Sequence, residues 1–187
     1  MREVSESMLF EETDFDGVWV IVPERHEDER GFHARAWCAR EVEDRGLDTE
    51  IRQCNISFNP EEGTLRGLHY QAEDSVETKI IRCTMGALYD VVVDLRPGSA
   101  TFRHWISVEL NADNRRMIYV PKGLAHGFLT RMPNTEVFYQ MSAFFSPEHS
   151  RGVRYDDPAF AIKWPGPIRV ISERDRGYSD FEVERGS

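Results

Sequence analysis

The 187-residue chain is 40% hydrophobic and carries 33 acidic against 23 basic side chains, a formal net charge of −10. That is enough apolar material for one domain, and the acidity argues against a nucleic-acid groove. No run approaches the roughly 20 apolar residues of a membrane span, and MREVSESMLFEETDFDG lacks a basic-then-apolar leader, so a soluble, cytoplasmic protein is expected.

In chain order, the first strand signal is VWVIV, residues 18–22, ahead of Pro23. AWCAREVEDRG, residues 36–46, has helical periodicity, and Trp37, Val42 and the terminating Gly46 allow a peripheral helix of about two to three turns. Strand runs then follow closely: IRQCNISF before Asn59-Pro60, GTLRGLHYQ, TKIIRCT before Gly86, ALYDVVVDL before Pro97-Gly98, HWISVEL, RMIYV, GFLT and TEVFYQMSAFF. So many strands cannot bury one flat sheet, which predicts an all-β fold, a two-sheet jelly-roll barrel with a few short peripheral helices, as a single domain over residues 1–187. The end, from about residue 176, is expected to fray. Cys38, Cys54 and Cys83 share no CxxC spacing and read as buried thiols of a reducing compartment.

Polar side chains inside strand patterns carry the functional signal. In YDVVVDL, Tyr89, Val91 and Val93 share one face, and Asp90, Val92 and Asp94 the other. A solvated outer face accounts for Asp94 beside Arg96 but less well for Asp90, deeper in the run. Gln53, Asn55 and Ser57 likewise share a face, as expected of a small barrel that holds a polar ligand. Arg66 and His69 fall on opposite faces under strict alternation, so a shared site requires a bulge or bend at Gly67. Alone, His69 reads as a satisfied core histidine. Together with His126 in PKGLAHGF and Lys79 in TKIIRC, where an unpaired ammonium would be costly to bury, it points to one shared site.

Clustered histidines would suggest a metal, since such strands commonly carry two histidines two apart. Here Gln71 holds the second place, and His26, His33, His104 and His149 share no ligand spacing with His69 or His126, so no catalytic metal is expected. GxGxxG and GxxxxGK[ST] are both missing, and no cofactor is expected either.

The motifs DERGF (28–32), QCNIS (53–57), GTLRGLHYQ (63–71), VVVDLRPGSATF (91–102), PKGLAHGF (121–128), FYQ (138–140) and DPAFAIKWP (157–165) stand in an order that resembles the dTDP-4-dehydrorhamnose 3,5-epimerases, a branch of the cupin superfamily. The resemblance runs from about Asp16 to Asp175. It implies a nucleotide-diphosphosugar substrate, a 4-keto-6-deoxyhexose inverted at C3 and/or C5 through a C4 enolate. It also implies His69 as base, oriented by Asp175, Tyr139 as acid, and Lys79 on the C4 oxygen. Arg66 and His126 would hold the substrate, with Arg30, Gln53 and Asn55 on the nucleotide side. DERGF would reach the partner subunit's site, which implies a homodimer with exchanged N-terminal strands.

The chemistry is self-consistent, because a C4 ketone acidifies the hydrogens at both neighbouring carbons, and one base and one acid on opposite faces can invert both. Four positions depart from the family pattern: Arg35 stands where a glutamate is usual, Phe145 for a stacking tyrosine, Ser150 for a glutamate and Arg174 for a lysine. The nucleotide side is thereby altered while the catalytic groups are intact. Alternatives are an epimerase of C3 only or C5 only on another nucleotide-linked 4-keto sugar, a 3,4-ketoisomerase, and a non-catalytic sugar-binding cupin, which would need no acid facing the base.

Overall fold

Alternation along the strand runs gives each strand an inward row and an outward row, and the chain uses both by building two facing sheets with apolar layers between and outside them. The computed structural model describes residues 7–182. The chain enters through β1 (Met8–Glu12), β2 (Trp19–Pro23), the hairpin β3 (Arg25–Asp28) and β4 (Gly31–Ala34), and α1 (Ala39–Glu43). The barrel strands follow as β5 (Gln53–Asn59), β6 (Thr64–Gln71), β7 (Lys79–Met85), β8 (Ala87–Asp94), β9 (Trp105–Asn111), β10 (Met117–Val120), β11 (Leu124–Thr130) and β12 (Thr135–Met141). Two short strands, β13 (Ser150–Gly152) and β14 (Val170–Ile171), and a terminal turn of helix, α2 (Glu173–Arg176), complete it.

One sheet has the order β1-β2-β10-β7-β12-β5, and the other β13-β6-β11-β8-β9 with β14 parallel to β6. This is the all-β jelly roll that the strand runs predict. Ile81, Cys83, Val92, Ile118, Phe128 and Val137 meet between the sheets. Outside the first sheet, Ile21, Ile80, Met117 and Tyr119 pack under Val42 of α1, and outside the second, Val91, Val93 and Ala125 pack under Val153 and Phe160. The predicted faces of β8 are thus real, with Val92 inward and Val91 and Val93 outward.

Four local expectations are corrected. The helix of 36–46 is confined to Ala39–Glu43, because the chain at Cys38 is extended and its side chain caps no N–H of the first turn. The run TEVFYQMSAFF leaves the sheet after Met141, where Ser142 exchanges bonds with Thr78, and Phe144 and Phe145 emerge as exposed rings. Asp94 is fully buried: its carboxylate accepts from Arg96, Ser99 and Thr101, and these bonds outweigh the effect of burial and hold it well below the usual carboxylate range. It ties the β8–β9 turn together. Of the cysteines, all free, Cys83 is buried and its thiol is pushed up to about 11 by burial, whereas Cys54 is exposed on β5.

The expected loose end extends past residue 182, outside the described residues; before that point Phe181 packs against Phe160. Among the described residues no helix is long and apolar enough to cross a membrane.

Candidate active site

Between the sheets lies a cavity of about 300 Å³, a size suited to a small ligand. Its walls come from both sheets: β6 and β11 supply Arg66, His69 and His126, and β5, β7 and β12 supply Asn55, Lys79 and Tyr139.

Arg66 and His69 reach the same cavity through the irregularity that strict alternation demands. β6 and β11 pair as His126↔His69 and then as Phe128↔Arg66, with a register shift between. Gly67 sits there at φ 128°, so close to β11 that a Cβ would lie 2.5 Å from the Gly127 Cα. A side chain at that position is excluded by both conformation and space.

His69 Nε2 is 2.6 Å from Asp175 Oδ1. Burial raises the Asp175 pKa, but the histidine and the Gly67 N–H, 3.2 Å from Oδ2, outweigh it and hold the carboxyl below its usual range. An ionised carboxylate at Nε2 fixes the tautomer with Nε2–H donating, which leaves Nδ1 as the basic nitrogen. The carboxylate is placed by α2, whose first turn is capped when Ser172 Oγ accepts the Asp175 N–H.

His126 has a similar partner, Asp90 Oδ2 at 2.8 Å, but both side chains are almost completely buried, whereas His69 is 38% exposed. Burial raises the Asp90 pKa against the opposing pull of His126. Tyr139 faces these groups from the opposite sheet, its ring edge-on to His126 at 6.4 Å. Its pKa is raised by burial first and by the Asp90 charge second, with Arg66 opposing, so the phenol holds its proton throughout the physiological range.

Lys79 Nζ donates to Glu77 Oε1 at 3.1 Å and to the His69 carbonyl at 3.4 Å. Arg66 Nε donates to the buried Asn59 Oδ1 at 2.7 Å, which leaves its two amino groups to address a ligand. At the rim, Phe145 is 54% exposed, its backbone N–H donates to Gln53 Oε1, and Gln53 in turn donates to Asn55. Arg174 lines the same rim and donates to Ser150 Oγ.

Arg30 and Arg35 are not brought to this cavity. Arg30 pairs with Asp28 at the tip of the β3–β4 hairpin, and Arg35 pairs with Glu41 of α1 at 2.9 Å. Two carboxylates, Glu77 in the cavity wall and Asp90 bonded to His126, have no role assigned from the sequence. Glu77, at 8% side-chain exposure, reads in sequence as a surface partner of Lys79; Asp90 is conspicuous inside its strand, but its partner comes from β11.

Together these features define a jelly-roll barrel built for general base and acid chemistry on a polar ligand, with a carboxylate-oriented imidazole and a protonated phenol on opposing walls. The sequence model described as dTDP-4-dehydrorhamnose 3,5-epimerase matches residues 12–182. A dTDP-4-dehydrorhamnose 3,5-epimerase of Sinorhizobium fredii is 41% identical over 171 residues, 91% of this chain and 88% of that protein. Two crystal structures are similar as well. The Bacillus anthracis dTDP-4-dehydrorhamnose 3,5-epimerase with TDP and PPi bound superposes with a TM-score of 0.90 at 39% identity, over 94% of this chain and 100% of the other. A 3′-monoepimerase from Streptomyces bikiniensis in complex with dTDP-quinovose gives 0.83 at 30% identity, over 90% and 85%. The chain belongs to the dTDP-4-dehydrorhamnose 3,5-epimerase family, and as an enzyme it is an isomerase.

Proposed function

We propose that this cavity inverts C3 and C5 of a dTDP-linked 4-keto-6-deoxyhexose, with His69 as base and Tyr139 as acid. The observation that carries the reading is their placement: His69 on β6 and Tyr139 on β12 line one cavity from opposing sheets. His69 Nδ1 takes the proton from C3, and the electron pair moves onto the C4 oxygen as an enolate. Lys79 stabilises that charge where it develops. The Tyr139 phenol returns a proton to the other face; exchange with solvent then takes the proton from His69 and reprotonates Tyr139, and the same cycle at C5 completes the inversion without net change of oxidation state.

Arg66 and His126 hold the sugar and diphosphate, while Phe145, Gln53, Asn55 and Arg174 form the nucleotide end. The nearer relatives, at 41% and 39% identity, are 3,5-epimerases and the one-centre enzyme stands at 30%, which favours inversion of both centres. A water-soluble nucleotide sugar and three free thiols fit a cytoplasmic enzyme.

The active unit is a homodimer. The β3–β4 hairpin forms a sheet of its own, and among the described residues its Arg30 pairs with Asp28 of the same hairpin, as suits a segment that completes a neighbouring subunit's site. Incubation with dTDP-4-keto-6-deoxyglucose in deuterated water tests the chemistry, with label at C3 and C5 read separately by NMR. Incorporation at both carbons is expected; incorporation at one carbon would make the protein a one-centre epimerase, and at neither would retire the reading.

A further inference from the structure

A chain of hydrogen bonds runs from the nucleotide end of the cavity to Lys79. The Ser146 N–H, next to Phe145, donates to Gln71 Oε1 at 2.7 Å. Gln71 Nε2 donates to Glu77 Oε2 at 3.1 Å, and Glu77 Oε1 accepts from Lys79 Nζ, also at 3.1 Å. The orientation of the Gln71 carboxamide is unambiguous, because an N–H faces its oxygen while its nitrogen faces the Glu77 carboxylate and the carbonyls of Ser75 and Phe144. All three linking side chains are shielded: Gln71 is 5% exposed, and the Glu77 and Lys79 side chains 8% and 13%. Shielded bonds to charged groups are strong and directional, so the ammonium cannot shift without its partners.

We infer that Gln71 and Glu77 are positioning residues that couple seating of the nucleotide on Phe145 to the orientation of Lys79. Two Lys79 N–H groups are committed, one to Glu77 and one to the His69 carbonyl, so the direction of the third follows from where Glu77 is held. Glu77 is held by Gln71, and Gln71 by the segment that carries the exposed Phe145 ring. A base stacked on that ring fixes the segment and, through it, the donor that meets the C4 oxygen. The nucleotide then contributes to the rate of the chemical step as well as to binding, as remote binding interactions do when they are realised in the transition state. This rests on the epimerase reading for the role of Lys79 and for the place of the nucleotide on Phe145.

Two measurements test the link, each on wild type, Gln71→Met and Glu77→Gln. Gln71→Met keeps most of the volume and loses all four bonds of the carboxamide, the two of the chain among them; Glu77→Gln keeps the shape and leaves one oxygen where two partners need an acceptor. The first compares proton exchange at C3 of the dTDP-linked 4-keto-6-deoxyhexose with exchange of the same sugar as its 1-phosphate. Each variant should lose about tenfold more kcat on the nucleotide-linked sugar than on the 1-phosphate, the scale of coupling between groups in one hydrogen-bond network. Equal losses, or a change confined to KM, would overturn the inference.

The second follows the ε-carbon resonance of Lys79, one of three lysines in the chain, on addition of thymidine, which has no phosphate to perturb the ammonium directly. The resonance should move in wild type and stay in place in both variants. Movement in all three proteins, or in none, would break the link. A wild type that turns over neither sugar would retire the epimerase reading instead, and the resonance experiment then decides the coupling by itself.

Discussion

His69 and His126 are both bonded through Nε2 to a carboxylate, and exposure separates their tasks. Nearly buried His126 can orient a ligand, but only His69 has the open surface to meet a carbon acid. His69→Asn should therefore lower exchange at C3 and C5 together by about 10² to 10⁴, the range for losing a general base, while calorimetry shows dTDP still bound. Tyr139→Phe should behave differently. Deuterium should still wash in, and product formation should slow by about 10² to 10⁴. Product at the wild-type rate would assign the acid elsewhere. Arg35, outside the cavity, is paired with Glu41 of α1. Calorimetry with dTDP and UDP should then give the same preference for wild type and Arg35→Glu, and a preference that moves toward dTDP in the variant would show that Arg35 reads the base. As cavity residues, His69 and Lys79 are legible because each is an improbable occupant of a strand run, and Tyr139, an ordinary strand residue, only through the resemblance carried by FYQ. Glu77 is not, since a glutamate two residues before a lysine looks like any exposed pair until the fold buries it.

The irregular β6–β11 register is the element on which the site depends. The requirement for a bend at Gly67 could be stated from the sequence, because Arg66 and His69 alternate onto opposite faces. The reason only glycine serves could not, since Gly127 on the neighbouring strand provides the clash. Gly67→Ala should destabilise the protein by more than the roughly 1–3 kcal/mol of holding an alanine in a conformation it rarely adopts, because the Cβ also meets the β11 backbone, and should displace His69 from Asp175. Urea unfolding and the exchange assay would show the two effects together.

The burial of Asp94 departs from the sequence expectation for a related reason, since an aspartate beside an arginine looks solvated until Ser99 and Thr101 close over it. The folded-state pKa of Asp94 lies below its unfolded value of about 3.9. Its contribution is therefore fully present above that value and is lost as pH falls through the lower, folded one. Asp94→Asn should cost about 3 kcal/mol at pH 7, the scale of breaking a buried ion pair, and the gap to wild type should narrow as the pH is lowered below 4. A constant gap across that range would mean that Asp94 acts through shape alone.

For the whole molecule, strand count and spacing were sufficient to predict two sheets, but the strand order, which places β6 against β11 and β7 against β12, depends on pairings distant in sequence. Ile56 at 66% and Phe58 at 47% exposure leave apolar surface on the edge strand β5, as an assembling subunit would. If Arg30 serves the neighbouring subunit, Arg30→Ala and His69→Asn should each be inactive alone. After unfolding and refolding together they should recover about a quarter of wild-type activity, since half the dimers are hybrids with one complete site. Recovery absent from the mixture would place Arg30 outside the partner's site.

The position of Asp175 has a consequence for the order of events during synthesis. Strands β1 to β12 are all synthesised before Asp175, the carboxylate bonded to His69. On the proposed roles, a nascent chain can thus hold every one of these strands while its base still lacks the carboxylate that orients it. Proteolysis between β14 and α2 would return a finished molecule to that state, with the barrel strands in place and the His69 imidazole parted from its carboxylate.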